Sequence, residues 1–216
     1  RLILNITAFT NDYTDKQETI VTPGDGTIVV DGVPQNCGTT CTFVRNAGEV
    51  AIDGLEIEGT YKATERLTFR TAIGLLDASY DEFINNGVDV SAYAKLKMAP
   101  DYTASLSWEY IAPTTRGEVI FAGTFSSKDD YYGTYDPEVY IWGPGADIVT
   151  DGESKLDLSL TYNTTTANGT DLTFTVFGND VLEDGAYIVR PFDAGAFAFA
   201  TPQKRQHFGI SLGVEF

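Results

Sequence analysis

The stretch that most restricts the fold is QHFGISLGVEF, Gln206 to Phe216. Phe208, Ile210, Leu212, Val214 and Phe216 alternate with His207, Gly209, Ser211, Gly213 and Glu215. A period of two places the two sets on opposite faces of a β-strand. Two architectures use such a strand. A soluble sandwich turns the apolar face to a core and the polar face to water. A membrane-spanning barrel turns the apolar face to lipid and the small, polar face to a lumen. The stretch closes on an aromatic in phase with its apolar face, whereas the ends of soluble domains usually fray. The expectation is the barrel.

Composition narrows the choice further. No apolar run is long enough for a membrane-crossing helix. Aromatics are plentiful, with 12 Tyr and 13 Phe against one Met, which suits girdles at two membrane interfaces. The net charge of −17 excludes nucleic acid, whose phosphates would be repelled. It also excludes a basic helix lying on a membrane surface. After Arg1 the chain opens at once on strand-like LILNITAF, and the expectation is a segment of something longer.

Read in order, the chain offers eight strands. The first runs from Leu2 to Thr19, and a Gly-, Thr- and Asp-rich loop follows over Val21 to Asn46. That loop holds both cysteines, Cys37 and Cys41, in CGTTC. They can close a disulfide ring in an oxidising compartment or remain two reduced thiols. A zinc site would need two further ligands, and the chain has one His. The second strand is Glu49 to Lys62, where Val50 and Ile52 have the opposite parity to Leu55, Ile57 and Tyr61. That change predicts a bulge at Asp53-Gly54. The third strand is Leu67 to Tyr80, followed by a polar loop, Asp81 to Lys97. The fourth spans Met98 to Tyr110 and has the clearest alternation, with Pro100 near its start. The fifth is Glu118 to Tyr132, followed by a loop over Thr134 to Glu153. The sixth is Lys155 to Thr164 and the seventh Leu172 to Asn179. A long segment, Asp180 to Arg205, leads to the terminal strand.

Connections alternate between short and long. The short ones fall at Lys62 to Arg66, Ala112 to Gly117 and Thr164 to Thr170, and parity puts all three on the side where the terminal strand finishes. Tyr61, Tyr110, Tyr162 and Phe216 end their strands on the apolar face at that side, where an aromatic girdle belongs. The outward faces carry no charge. Glu56, Glu58, Arg70, Glu109, Asp157 and Glu215 belong to the inward faces. The fold expected is all-β, an antiparallel up-and-down transmembrane barrel.

Several motifs go further. Asn46, Ala47, Gly48, Gly54, Glu56, Asp77 and Tyr80 lie in NAGEVAIDGLEIEGTYKATERLTFRTAIGLLDASY. Ala99 and Pro100 open KMAPDYTASLSWEY, and FTVFGNDVLEDGAY and KRQHFGISLGVEF follow in that order. Together they resemble the C-terminal part of TonB-dependent outer-membrane receptors. Two departures stand out. Asn179 is followed by Asp180 and Val181, and the spacing from Arg205 to Phe208-Gly209 is one residue longer than the family pattern. The resemblance implies that residues 1–216 are the C-terminal part of such a receptor's barrel, about eight strands of about 22. The plug and the N-terminal strands are expected outside this sequence.

The resemblance also implies a function: uptake of a scarce, large nutrient such as a ferric siderophore, cobalamin or an oligosaccharide. The implied location is the bacterial outer membrane. The implied partners are outer-membrane lipid and lipopolysaccharide around the wall, and the energy-coupling TonB protein through the missing N-terminal part. To these are added a small-molecule nutrient and the barrel-assembly machinery at the terminal strand, with Phe216 resembling an assembly signal. Tyr131, Tyr132, Tyr135, Tyr140 and Trp142 give the long loops an aromatic surface that can face a flat chelate or a sugar, or can pack the loops together. The alternative function is a complete eight-stranded barrel acting as anchor, adhesin or narrow pore. Its narrow interior would have to hold a surplus of buried acid, which is costly. Enzymatic activity is not expected: the single His, His207, has no flanking catalytic motif. No cofactor is expected. Asp129, Asp130, Asp136 and Glu138 do not follow a calcium-loop spacing and read as solvated acid.

Overall fold

The computed structural model describes residues 1–30, 33–85, 87–133, 149–182, 188–193, 198–202 and 206–215. At 20–30, 35, 37–43, 45, 47, 188–193 and 198–202 the description is of backbone alone. Among the described residues there are strands and no helix. They are β1 (Leu2–Val30), β2 (Val33–Lys62), β3 (Leu67–Asn85), β4 (Val88–Asp89), β5 (Tyr102–Thr114), β6 (Gly117–Lys128), β7 (Tyr131–Tyr132), β8 (Val149–Thr150), β9 (Glu153–Thr165), β10 (Asp171–Asn179), β11 (Ile188–Asp193), β12 (Ala198–Pro202) and β13 (His207–Glu215).

Eight of these form one antiparallel sheet in the order β1-β2-β3-β5-β6-β9-β10-β13. β4 extends β3, while β7–β8 and β11–β12 are small ribbons inside long connections. β1 and β13 lie at opposite edges, so the sheet is open, as expected for part of a larger barrel. The three short turns share the rim where β13 finishes, because Leu67 faces Tyr110, Glu118 faces Asn163 and Asp171 faces Glu215. Backbone bonds tie that rim. Lys62 N–H donates to the Arg1 carbonyl at 2.8 Å, and Ile111 N–H donates to the Arg66 carbonyl at 2.9 Å.

Register explains the outward face. Residues directly opposite in an antiparallel pair share a face. One row runs Leu2, Tyr61, Phe69, Trp108, Gly123, Leu158, Gly178, Phe208 across all eight strands. Another runs Leu67, Tyr110, Phe121, Leu160, Val176, Ile210. These rows carry no charge and are solvent-accessible along much of their length, Ile210 at 74% and Phe208 at 68%. An uncharged, exposed band on a twisted sheet is a lipid-facing surface. On β5 it reaches from Tyr110 to Tyr102, about 27 Å along the strand, which matches a tilted membrane crossing.

Glycine makes this wall thin at four points. The rings of Phe9, Trp108, Phe177 and Phe208 lie over their cross-strand partners Gly54, Gly123, Gly209 and Gly178. A Cβ added at Gly123 would stand 2.2 Å from the Trp108 ring. Aromatic cover of a facing glycine secures register where the backbone is most permissive.

At the end opposite the short turns, four expectations are corrected. Val21 to Asn46 is not a loop: β1 and β2 continue as a paired ribbon to Val30 and Val33. β-branched residues such as Ile28, Val29, Thr40 and Thr42 favour the extended form. The Pro and Gly residues are absorbed in register shifts between Pro23 and Thr27. Nor does Asp53-Gly54 form a bulge, since pairing is unbroken through Asn11–Ile52, Thr10–Asp53 and Phe9–Gly54. The shifts fall instead between Tyr13 and Lys16 on β1 and between Glu49 and Val50 on β2. Gly54 is small because Phe9 covers it. Val50 and Ile52 change parity because the inward face is the dry one at this level.

The segment expected to be a polar loop over 81–97 supplies that dryness. β3 runs on to Asn85, and the chain then folds back so that Val90 and Ala94 cover Val50, Tyr80 and Phe83, with Ile52 and Leu96 alongside. Phe83 is fully buried and stacks on Tyr80 at 4.9 Å between ring centroids. Val90 N–H donates to the Phe83 carbonyl at 2.8 Å, and the Asp89 carboxylate accepts from Phe83 N–H at 3.2 Å. The fourth strand likewise begins at Tyr102, not Met98: Met98 has φ of 55°, a backbone turn that ends regular pairing.

Candidate functional site

The described sheet has two rims and an inward wall, and the charges divide among them. The rim of short turns carries Arg1, Lys62, Arg66 and Arg116 together with Glu65, Glu118 and Asp171. The wall carries Glu56, Glu58, Arg70, Glu109, Asp157 and Glu215, all placed inward by register. A groove of about 250 Å³ is lined there by Arg70, Ser107, Glu109, Thr124, Asp157 and Asn179. His207 begins β13 on the same face, with its Nε2 2.9 Å from the Asn179 amide nitrogen.

The long-connection rim, which we call the mouth, is built around two carboxylates. Glu18, on the extension of β1, is buried, with a side chain 2% exposed. Its Oε1 accepts from the Tyr80 hydroxyl at 2.6 Å and pairs with the Lys16 ammonium. Its Oε2 accepts from Lys97 Nζ at 2.6 Å. Burial pushes this carboxyl up, but Lys16, Lys97 and Tyr80 outweigh burial and hold it below its ordinary value. Three segments are thereby joined: β1, β3 and the strap that ends at Lys97.

Glu153 repeats the arrangement on β6 and β9. Lys128 Nζ lies 2.7 Å from its Oε1 and Lys155 Nζ 2.9 Å from its Oε2. Lys128 and Glu153 face each other across β6 and β9. Between the two groups run Tyr131 and Tyr132. Met98 N–H donates to the Tyr132 carbonyl at 2.9 Å, which ties the strap to β7. Lys128 Nζ sits 5.1 Å from the Tyr131 ring centroid, and Lys95 Nζ 5.8 Å from that of Tyr132, within cation–π range. Beside them the Asp129 carboxyl, with some burial, holds the Asp130 carboxyl above its ordinary value.

Of the aromatics predicted for the loops, Tyr131 is buried under Lys128 and Tyr132 is half-buried under Lys95. Tyr135, Tyr140 and Trp142 lie outside the described residues, as does Phe216. Cys37 and Cys41 fall on β2 with their side chains outside the description. Four residues of strand span about 13 Å, and disulfide-bonded Cα atoms lie within about 7 Å. A bond between the two cysteines therefore requires this stretch to leave extended geometry. Sequence reasoning missed the two carboxylate nodes. Glu153 and Lys155, two residues apart on one strand, offered a legible signal. Glu18 and Lys97 offered none, being brought together by the strap alone. Among the described residues, no group of three or more side chains is set to hold a metal ion.

Compared with known proteins, residues 1–180 match the family model described as TonB dependent receptor-like, beta-barrel. No curated protein matches by sequence. Among solved structures, the chain is similar to BauA, the ferric preacinetobactin receptor from Acinetobacter baumannii, with a TM-score of 0.66 and 16% identity. The match covers 100% of this chain and 27% of that one, so the chain spans about a quarter of that receptor's length. At this identity the likeness shows the fold alone.

Proposed function

This chain belongs to the TonB-dependent receptor β-barrel family, and on that premise we propose that it forms the C-terminal part of the barrel of an outer-membrane receptor. In this reading the plug and the remaining strands lie upstream, and the receptor imports a scarce nutrient too large to diffuse through a porin. The observation that carries the reading is the open sheet with a continuous uncharged outward band. Two unpaired strand edges cannot rest in hydrocarbon, where each unsatisfied backbone group costs several kcal/mol. Further strands of the same barrel satisfy them. The family's members are transporters and not enzymes, and the wall's inward acids serve here as the polar lining of a wide, wet lumen.

The nutrient class stays broad: a ferric siderophore, cobalamin or an oligosaccharide. The mouth is the first surface it meets, with Tyr135, Tyr140 and Trp142 in the adjoining connection. Energy comes from the TonB protein acting on the N-terminal part, lipopolysaccharide surrounds the outward band, and the assembly machinery engages β13 and Phe216. The test is growth. Deleting the gene for the full-length receptor should abolish use of one nutrient in a panel of these classes, and loss of the coupling protein should do the same. Unchanged growth across the panel overturns the reading. The small closed barrel is disfavoured, because among the described residues β1 pairs only with β2 and β13 only with β10.

A further inference from the structure

Asn168 and Gly169 lie at the tip of the turn from Thr166 to Thr170 that joins β9 to β10 on the short-turn rim. The same dipeptide occurs at Asn86-Gly87, where Asn86 lies outside the described residues. Thr166 closes the turn from both sides. Its N–H donates to the Thr170 carbonyl at 2.8 Å, and its hydroxyl accepts from Thr170 N–H at 3.1 Å. Its carbonyl accepts from Gly169 N–H at 3.0 Å. Asn168 is exposed, and its side-chain amide has no hydrogen-bond partner among the described residues. Gly169 has φ of 85°, and a Cβ added to it would meet nothing within 4 Å. A single hydrogen bond, open to water, is all that engages the Gly169 nitrogen beside the Asn168 amide.

Two asparagines on the flanking strands are guarded. Asn163 donates through its amide to Glu118 Oε1 at 3.2 Å and accepts from the Thr173 hydroxyl at 3.1 Å. The nitrogen that follows Asn179 belongs to Asp180 and donates to Asp157 Oδ1 at 2.8 Å. From this contrast we infer that Asn168 is a site of spontaneous modification, converted through a cyclic imide to aspartyl and isoaspartyl residues. The deprotonated Gly169 nitrogen attacks Asn168 Cγ. An N–Cγ bond forms, the Cγ–Nδ2 bond breaks, and ammonia leaves carrying the proton that Gly169 gave up. Water then opens the ring at either carbonyl, and no oxidant or reductant takes part. Glycine puts no side chain in the path and turns freely once its hydrogen bond opens. Both products add a negative charge to the turn, and the isoaspartyl product also adds a carbon to the main chain. Asp171, the first residue after the turn, stands opposite Thr165 on one side and Glu215 on the other. The new charge therefore enters a corner that already holds two carboxylates, where like charges weaken strand pairing. The ends of β9, β10 and β13 loosen as the protein ages.

None of this depends on what the receptor imports, and the test needs no nutrient. The full-length protein in detergent micelles is kept warm at mildly alkaline pH, and samples are digested and sequenced by mass spectrometry over time. Asn168 should take on the mass of an acid first, as two separable products, with the isoaspartyl form in excess. Asn163 and Asn179, read in the same digest, should lag several-fold or more. Gly169→Ala should slow the conversion several-fold, even though alanine is strained at that φ and loosens the turn. Thr166→Val, which keeps the glycine and removes one tie of the turn, should speed it. Conversion of Asn168 no faster than that of Asn163 or Asn179 overturns the site. An aspartyl product alone overturns the cyclic route, as does a rate unchanged by Gly169→Ala. A rate that Thr166→Val leaves unchanged or slows overturns the role given to the turn's hydrogen bonds.

Discussion

In the spanning wall, β2 and β3 turn Leu55, Ile57, Ile73 and Leu75 outward and leave Glu56 and Glu58 inward. A few residues on, the same strands bury Val50, Ile52 and Tyr80 inward and present Asp53, Asp77 and Ser79 outward. Pairing continues through the change, so the reversal does not come from the backbone. It comes from what each face meets. Lipid covers the outside below, and the strap over 88–98 covers the inside above. An alternating strand therefore records its surroundings, and a switch of parity marks a boundary between solvents as readily as it marks a bulge.

That contrast can be broken in several places. The largest effect belongs to the mouth core. Phe83→Ala should cost about 3–5 kcal/mol of local stability, read by hydrogen exchange over 88–98. Amides of β9 and β10 should be unmoved, since the two regions bury different faces. Exchange rising equally in both would merge the regions into one unit. Next is the lipid face, where Leu212→Arg should cost about 2–4 kcal/mol in urea unfolding from phospholipid vesicles. Ser211→Arg, on the inward face, should cost far less. Equal costs would mean that both faces are packed and the wall is not in lipid.

Gly123→Ala sets a side chain against the Trp108 ring and should cost about 1–3 kcal/mol, recovered when Trp108→Leu is added. Failure of the second change to help would remove the ring from the account. Glu18→Gln should weaken the strap by about 1–2 kcal/mol near neutral pH. The folded carboxyl lies below its ordinary value of 4.5. Its contribution is therefore complete above that value and fades as pH falls through the lowered folded value. Native and Glu18→Gln proteins, compared by exchange at matched pH, should converge in acid. A gap that widens there would reverse the assignment. The smallest effect is Ser79→Lys, exposed and outward above the band, which should stay within about 0.5 kcal/mol of neutral.

What could be read beforehand follows the same boundary. Leu158, Leu160 and Ile210 announced the wall because lipid imposes one rule on every strand, so alternation repeats and can be compared from strand to strand. The mouth obeys no shared rule. Val90 and Ala94 look like scattered residues of a polar loop until the strap returns over Val50. Glu18 has no pattern around it, and its partner Lys97 lies beyond three intervening strands. The ribbon over 21–46 was hidden by its glycines and Pro23, which signal turns but here sit at register shifts. Tyr131 read as a surface aromatic, and the fold places it beneath Lys128.

The four rings lying over glycines have a consequence for inheritance. At Trp108 and Gly123, or Phe208 and Gly178, neither member is free to drift alone. Enlarging the glycine collides with the ring, and shrinking the ring bares the backbone. Each pair is one character written at two places in the gene, and a lineage can exchange it only by changing both members or by passing through a weakened intermediate. Across this wall, the smallest residues are therefore among the least replaceable.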